Sequence, residues 1–299
     1  MRLRLSARLV VWIVCLATAG GLLAQQPPAP QAENPAVLNK RIAVLIAQLG
    51  GKDMKGQMLA RSASRELGKI GKPALPALLE AAKDKNPNVR WWALGSLAAI
   101  GDPAAIETFL ACLGDPNETV RCVAVYNSRG FISDERIRAA LFAMTPTAGP
   151  EVRKWLLRDF TECKCAQAVP VLKDGLKNAD PQARADFLNT LTLLDKAGSF
   201  DLVKGVLASD PDERVRASAV ISLDNLVPSA PPVPGHFVAL LISALDDASA
   251  KVQCAAVLRL YKLTGQKFLF SPSSPAAERA KAIAQWKDWW AKAAPTFPN

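Results

Sequence analysis

The residue types that carry most protein chemistry are sparse in this chain. A single histidine, His236, stands among 299 residues, so no site needing two imidazoles can be assembled within one chain. It sits between Gly235 and Phe237, directly after the Pro-rich segment Pro228-Ser229-Ala230-Pro231-Pro232-Val233-Pro234. Six cysteines are present, at 15, 112, 122, 163, 165 and 254. Cys163 and Cys165 are too close in sequence for an easy bridge, and no second pair or nearby histidine completes four zinc ligands around them. The five cysteines past residue 24 are odd in number and irregularly spaced, so they do not read as a disulfide framework. Cys112, Cys122, Cys163, Cys165 and Cys254 are read as ordinary small helical residues. No Gly-rich phosphate loop follows a strand, and no Gly-x-Ser-x-Gly elbow occurs. The expectation is therefore no catalytic cluster, no metal and no cofactor.

What remains to make contacts is aromatic. Trp91 and Trp92 are adjacent, so both cannot face one core. On a helix of 3.6 residues per turn Trp91 points about 200° from the stripe set by Val89. It either packs on long outer side chains or touches a partner. Trp155 takes the inward-leaning position of Trp92, which reads as core. Near the C-terminus Phe268 and Phe270 precede a helix over about 276–293 carrying Trp286, Trp289 and Trp290. Ile283, Trp286 and Trp290 share one face, which predicts a cap on the helix beginning near Val252. Candidate partner contacts are Trp91, His236, Phe268, Phe270 and Trp289. The opposing readings are a tolerated surface loop at His236 and packing at the C-terminal end.

The elements that must position these residues come from a repeat. Val89-Arg90, Val120-Arg121, Val152-Arg153, Ala183-Arg184 and Val215-Arg216 follow one another at intervals of 31, 32, 31 and 32 residues. Extension backwards lands on Met58, and forwards, after 37 residues, on Val252. Each unit reads as two helices: Val89, Ala93, Leu97 and Ile100 share a helical face, Gly101 stops it, and Pro103 opens a second helix with Ile106, Leu110 and Leu113. Asp84, Asp115, Asp210 and Asp247 each lie five residues before the register position, where a carboxylate can cap the incoming helix. Arg90, Arg121, Arg184 and Arg216 lie about 100° round from the apolar stripe and can lean along the seam toward a neighbouring acid, forming a structural ladder. Thr147 stands where one unit should have its acid.

The pattern Asp84…Val89-Arg90-x-x-Ala93-Leu94-Gly95-x-Leu97-x-x-Ile100-Gly101, echoed from Asp115 and Asp210, resembles HEAT repeats, and more closely the short bacterial HEAT-like class first described in phycobilin lyases. The resemblance covers about residues 53–263. It implies an all-α, right-handed α-solenoid of about seven helical hairpins with a concave groove, used as a scaffold or partner-binding surface. The Thr264-Gly265-Gln266-x-Phe268 loop and Trp-rich helix resemble the ending of exported HEAT proteins of planctomycete-like bacteria. The iron-dependent hydroxylase of this fold needs several His-Glu pairs and is excluded by the single histidine.

Compartment comes from the first residues. Arg2, Arg4 and Arg8 precede an apolar run from Leu9 to Leu23, and Ala24 precedes Gln25-Gln26-Pro27-Pro28, as in a secretory signal. The run is ~15 residues, short of the ~20 that span a bilayer, so cleavage after Ala24 is preferred to a retained anchor. The organisation expected is a signal over 1–24, a Pro/Gln-rich linker over 25–35, the repeat array over 36–263, and the loop and capping helix over 264–299. Formal charge is +10, from 37 basic and 27 acidic residues, with 50% hydrophobic residues, which is the composition of a folded chain. Cleavage leaves +7, not concentrated into a run, and DNA binding by an exported chain is set aside. The reading is a monomeric, non-catalytic scaffold, periplasmic or extracellular, holding a protein partner along its groove. The alternatives are an enzyme or cofactor-binding accessory of the phycobilin-lyase type near Cys163, Cys165 or His236, and a binder of anionic lipid or polymer at the envelope. About 14 to 17 helices and no sheet are expected.

Overall fold

A computed structural model describes residues 33–228 and 232–298. Among them are fifteen α-helices, eight short 3-10 turns and no strand, and the array forms an α-solenoid. The signal and linker residues 25–32 lie outside the described residues; of the linker's last three residues Glu33 and Asn34 are irregular, but Pro35 already belongs to α1. The chain divides into residues 1–40 and 41–299. Of the first part, Asn34 Oδ1 accepts the Ala36 N–H and opens α1 (Pro35–Gln48). Everything below concerns residues 41–299.

The Val-Arg segments form the first helix of each pair: α2 (Met54–Ile70), α4 (Pro87–Ile100), α6 (Glu118–Ser128), α8 (Pro150–Glu162), α10 (Pro181–Leu194), α12 (Glu213–Ser222) and α14 (Ala250–Thr264). Each packs on the next, so they form one continuous layer. Shorter second helices alternate with them: α3 (Leu75–Ala81), α5 (Ile106–Leu113), α7 (Glu135–Met144), α9 (Val169–Gly175), α11 (Phe200–Ser209) and α13 (Gly235–Ser243). The register residues Val89, Val120, Val152, Ala183, Val215 and Val252 are all buried. Met58 is not; it is 70% exposed. The N-cap of each later first helix lies three residues before its register residue, and the N-cap of α2 is Asp53. The first unit's register is therefore Gly56, two residues earlier than the sequence spacing places it, with Ala60 and Ser64 in the buried places of Ala93 and Leu97.

The arginine ladder closes across unit boundaries. Arg90 Nε and Nη2 each donate at 2.7 Å to the two oxygens of Asp115 in the next unit, while Nη1 donates to the carbonyls of Asp84 and Lys85 in its own turn. Arg184 repeats this with Asp210 and the carbonyls of Asn178 and Ala179. Arg216 repeats it with Asp247 and the carbonyls of Asp210 and Pro211. Each guanidinium therefore bolts its own turn to the following one. Where Thr147 replaces the acid, Arg121 among the described residues keeps only the carbonyls of Asp115 and Pro116. Arg153, 4% exposed, instead reaches Asp180 at 3.2 Å and Asp186 at 3.0 Å.

The acids themselves are not the helix caps that their spacing suggests. Asp84, Asp115, Asp210 and Asp247 each accept the N–H two residues on, at Asn86, Asn117, Asp212 and Ser249. Those second residues are the N-caps. The upstream carboxylate thus closes the turn and receives the arginine, and the cap falls to a separate Asn, Asp or Ser.

At the C-terminal end α15 (Ala276–Ala293) covers the last pair. Trp286 is fully buried, donates Nε1–H to the Phe268 carbonyl at 2.8 Å, and joins the cluster of Val252, Ala256 and Leu260. Ile283 and Trp290 pack against the same cluster. The principal neighbour of α15 is nevertheless α13, not α14. The chain end contributes to this, since the Gly235 N–H donates to the Pro298 carbonyl and Phe297 lies against Trp290.

One seam position is anomalous. Asp159 on α8 occupies the register of Ser96, is 4% exposed, and neither of its carboxylate oxygens has a hydrogen-bond partner among the described residues. Burial pushes its pKa from 3.8 up to about 7, against the attraction of Arg129.

Three outcomes follow from this packing. Arg184→Met leaves the nearly buried Asp210 carboxylate unpaired and should destabilise by ~2–4 kcal/mol in urea titration, whereas Arg121→Met should lose less than ~1 kcal/mol; equal losses would refute the bolt. Trp286→Ala should lower stability by ~3–5 kcal/mol, read as a fall in melting temperature. The pH dependence has two opposed parts. An acid with a raised folded pKa binds more protons folded than unfolded, so the Asp159 contribution is most favourable below pH 3.8 and is lost as pH rises to about 7. At Asp210 and Asp247 burial acts upward but is outweighed by the arginine and backbone hydrogen bonds, so both are lowered and their contribution fails only in stronger acid. Asp159→Asn should abolish a wild-type loss of ~1–3 kcal/mol between pH 4 and 8, and an unchanged pH profile in that variant would contradict the assignment.

Candidate functional site

Positions two, three and six residues past the register emerge together on the layer of first helices. This brings Trp91 and Trp92 of α4, Cys122, Val123 and Tyr126 of α6, and Trp155 of α8 onto one surface. Trp91 and Trp92 meet edge to face with ring centroids 4.3 Å apart, which resolves how adjacent tryptophans are accommodated. Tyr126 and Trp155 do the same at 5.3 Å. Arg129 lies 4.8 Å from the Tyr126 ring centre and Arg158 lies 5.3 Å from that of Trp155. Both guanidiniums bond Glu162, whose carboxyl is held below its ordinary range chiefly by the Arg158 hydrogen bond. One carboxylate thus fixes two cations, and these cover two rings.

The rings border a cleft of about 450 Å³ lined by Trp91, Glu118, Thr119, Cys122, Val123, Tyr126, Glu151 and Trp155. Trp91 and Thr119 also line a neighbouring cleft of about 250 Å³ that reaches Gln57. Glu151 also lines one of about 500 Å³ that extends over α10 to Asp186 and Leu193. The shared residues join these clefts into one shallow groove across α2, α4, α6, α8 and α10. Its centre is aromatic, with Glu118 and Glu151 as acidic groups within it. Such a surface can take apolar side chains and a cation; the Cys122 thiol in it is raised by burial, with Glu118 and Glu151 acting the same way.

Of the residues singled out from sequence, Trp91 lies in this groove. Trp155, read as core, lies there too, half-exposed, because its ring is drawn over Tyr126 rather than into the seam. Tyr126 was not among the candidates; its signal is the register offset shared with neighbouring helices, visible only when units are compared side by side. Phe268, Phe270 and Trp289 occupy packing positions. Phe268 abuts Trp286 at 5.2 Å, Phe270 packs on the last cluster, and Trp289 lies among Trp286, Trp290 and Phe297. His236 is exposed in the first turn of α13, its ring against Phe200 at 4.8 Å and Phe237 at 4.4 Å. Cys163 is exposed and Cys165 buried. Burial, followed by Asp159, raises the Cys163 thiol. Among the described residues no three His, Cys, Asp or Glu side chains gather to hold a metal.

Two solved structures are similar over most of the chain. One is the complex of CpcE and CpcF of phycocyanin lyase from Nostoc sp. PCC7120, 18% identical, with 89% of this chain and 100% of that chain covered and a TM-score of 0.38. The other is an engineered protein from the Northeast Structural Genomics Consortium, 18% identical, with 83% and 72% covered and a TM-score of 0.35. No curated protein matches the sequence. No described helix is long and apolar enough to cross a membrane. The family model for HEAT repeats matches residues 42–128 and 137–224, more than half of the chain. The chain therefore belongs to the HEAT-repeat family.

Proposed function

We propose that this HEAT-repeat chain is an exported, monomeric, non-catalytic scaffold that holds a protein partner along the groove of its first-helix layer. The observation that carries the reading is the aromatic centre formed by Trp91, Tyr126 and Trp155, three rings presented half-exposed by three successive units. Partly exposed Trp and Tyr are costly to leave in water and are enriched where proteins bind one another. With Glu118 and Glu151 between them, the rings suit a partner segment that offers apolar side chains and a lysine or arginine. The non-catalytic part rests on the single histidine and on the raised thiols of Cys122 and Cys163. Export rests on Arg2, Arg4, Arg8 and the apolar run ending at Leu23.

Site-specific photocrosslinking tests this. A photoreactive phenylalanine analogue placed at residue 126 in envelope-containing cells should yield a defined protein adduct, and Trp91→Ala with Trp155→Ala should reduce it at least about fivefold, since such anchors contribute 1–2 kcal/mol or more each. An adduct of unchanged yield in the double variant, or none at residue 126 with one at residue 236, would refute the groove.

A further inference from the structure

A second surface lies at the opposite extreme of the array from the Trp286 cap. On α2, Met54, Met58, Arg61 and Arg65 follow at i, i+4, i+7 and i+11, a single stripe of the helix. Met54 is 83% exposed and Met58 70% exposed, and Leu59 beside them is also exposed. Two methionines left in water at successive turns are unusual for a helix whose other side, at Ala60, Ala63 and Leu67, is fully buried.

Charge gathers on the same hairpin. Residues 41–72 hold seven Lys or Arg and two Asp or Glu, a balance of +5, whereas residues 73–299 together carry +2. The charge left after signal cleavage is therefore concentrated in space although no consecutive run shows it. Both acids are already engaged: Asp53 caps α2 through the Gly56 N–H, and Glu66 accepts two hydrogen bonds from Arg41. Among the described residues Lys52, Lys55, Arg61, Arg65 and Lys69 have no carboxylate within ion-pair distance. The arginine bolts elsewhere show the contrast, since Arg90, Arg153, Arg184 and Arg216 all have carboxylate partners.

We propose that this stripe of α2 is a docking surface for an anionic phospholipid bilayer. Exposed methionines can enter the headgroup boundary while the lysines and arginines stay at the level of the phosphates, which is the arrangement of interfacial amphipathic helices. A second copy of the chain fits poorly, because a two-fold contact would bring +5 against +5. A soluble anionic polymer would use the cations but has no use for Met54 and Met58. The stripe adjoins the α2 end of the groove at Gln57 but includes none of Trp91, Tyr126 and Trp155, so substitutions at the stripe and at the rings let either proposal fail alone.

The test is vesicle sedimentation of residues 25–299, which keep every described helix and lack the apolar run. Vesicles of phosphatidylcholine with 30% phosphatidylglycerol are compared with pure phosphatidylcholine. Binding should require phosphatidylglycerol and fall at least about tenfold between 50 and 300 mM NaCl. Arg61→Glu with Arg65→Glu should weaken it at least about tenfold, and Met54→Ser with Met58→Ser at least about threefold, with melting temperatures unchanged. Trp91→Ala with Trp155→Ala should bind vesicles like the parent chain. No binding, binding indifferent to lipid charge, or full binding by the Arg61/Arg65 variant would overturn the proposal. Loss through the arginines with no effect of the methionines, together with equal binding to dextran sulfate, would overturn it in favour of a soluble polyanion.

Discussion

The structure depends on one repeated interaction, the arginine that joins two turns. Its Nη1 donates to the carbonyls of its own turn while Nε and Nη2 grip the acid of the next. The planar guanidinium suits this task because it offers donors in two directions at fixed angles, which a lysine cannot do. In a solenoid each unit contacts only its neighbours, so the angle between adjacent units decides the course of the whole array. Apolar burial supplies the attraction between helices but is tolerant of sliding. The bolts specify where sliding stops.

The placement of the groove follows from that constraint. Trp91, Tyr126 and Trp155 belong to three different units and approach each other only because the three first helices are held in step. The region is also where the ladder departs from its rule. Arg121 lacks its carboxylate because Thr147 replaces it, and Arg153 reaches Asp180 and Asp186 instead. Asp159, unpaired and buried, lies seven residues past the register on the same helix α8 that carries Trp155, Arg158 and Glu162. The array thus combines regular bolts at Arg90, Arg184 and Arg216 with irregular ones at Arg121 and Arg153, and Tyr126 and Trp155 of the aromatic surface sit on the two irregular helices. Local departures from a regular pattern are where functional surfaces are commonly built.

Much of the architecture was legible in the residues themselves. The Val-Arg period at 31 or 32 residues, the glycine stop at Gly101 and the prolines that open helices give helix pairs directly. The two-residue shift from Met58 to Gly56 was not legible, because the first unit lacks the Val-Arg pair and only the cap at Asp53 and the burial of Ala60 and Ser64 reveal its register. The roles of the acids were half legible: spacing placed Asp115, Asp210 and Asp247 in the turn, but whether a turn carboxylate caps a helix or receives an arginine depends on the residue two positions on. For the site, spacing on a single helix could show where Trp91 points. It could not show that Tyr126 and Trp155 meet, since that contact joins two units and is guided by Arg129, Arg158 and Glu162. The C-terminal aromatics were separable only by their contacts, since Phe268, Phe270 and Trp289 are partly buried like the groove rings but pack on Trp286 and the last cluster.

The central claim is that each bolt couples the stability of two units rather than that of one turn. Hydrogen exchange by mass spectrometry on Arg184→Met tests it most directly, because exchange reads each helix separately. The account predicts faster exchange in peptides from both α10 and α12, on either side of the lost Arg184–Asp210 contact, with α4 and α6 protected as in the parent chain. Faster exchange confined to the turn over residues 178–181, with α10 and α12 unchanged, would contradict it.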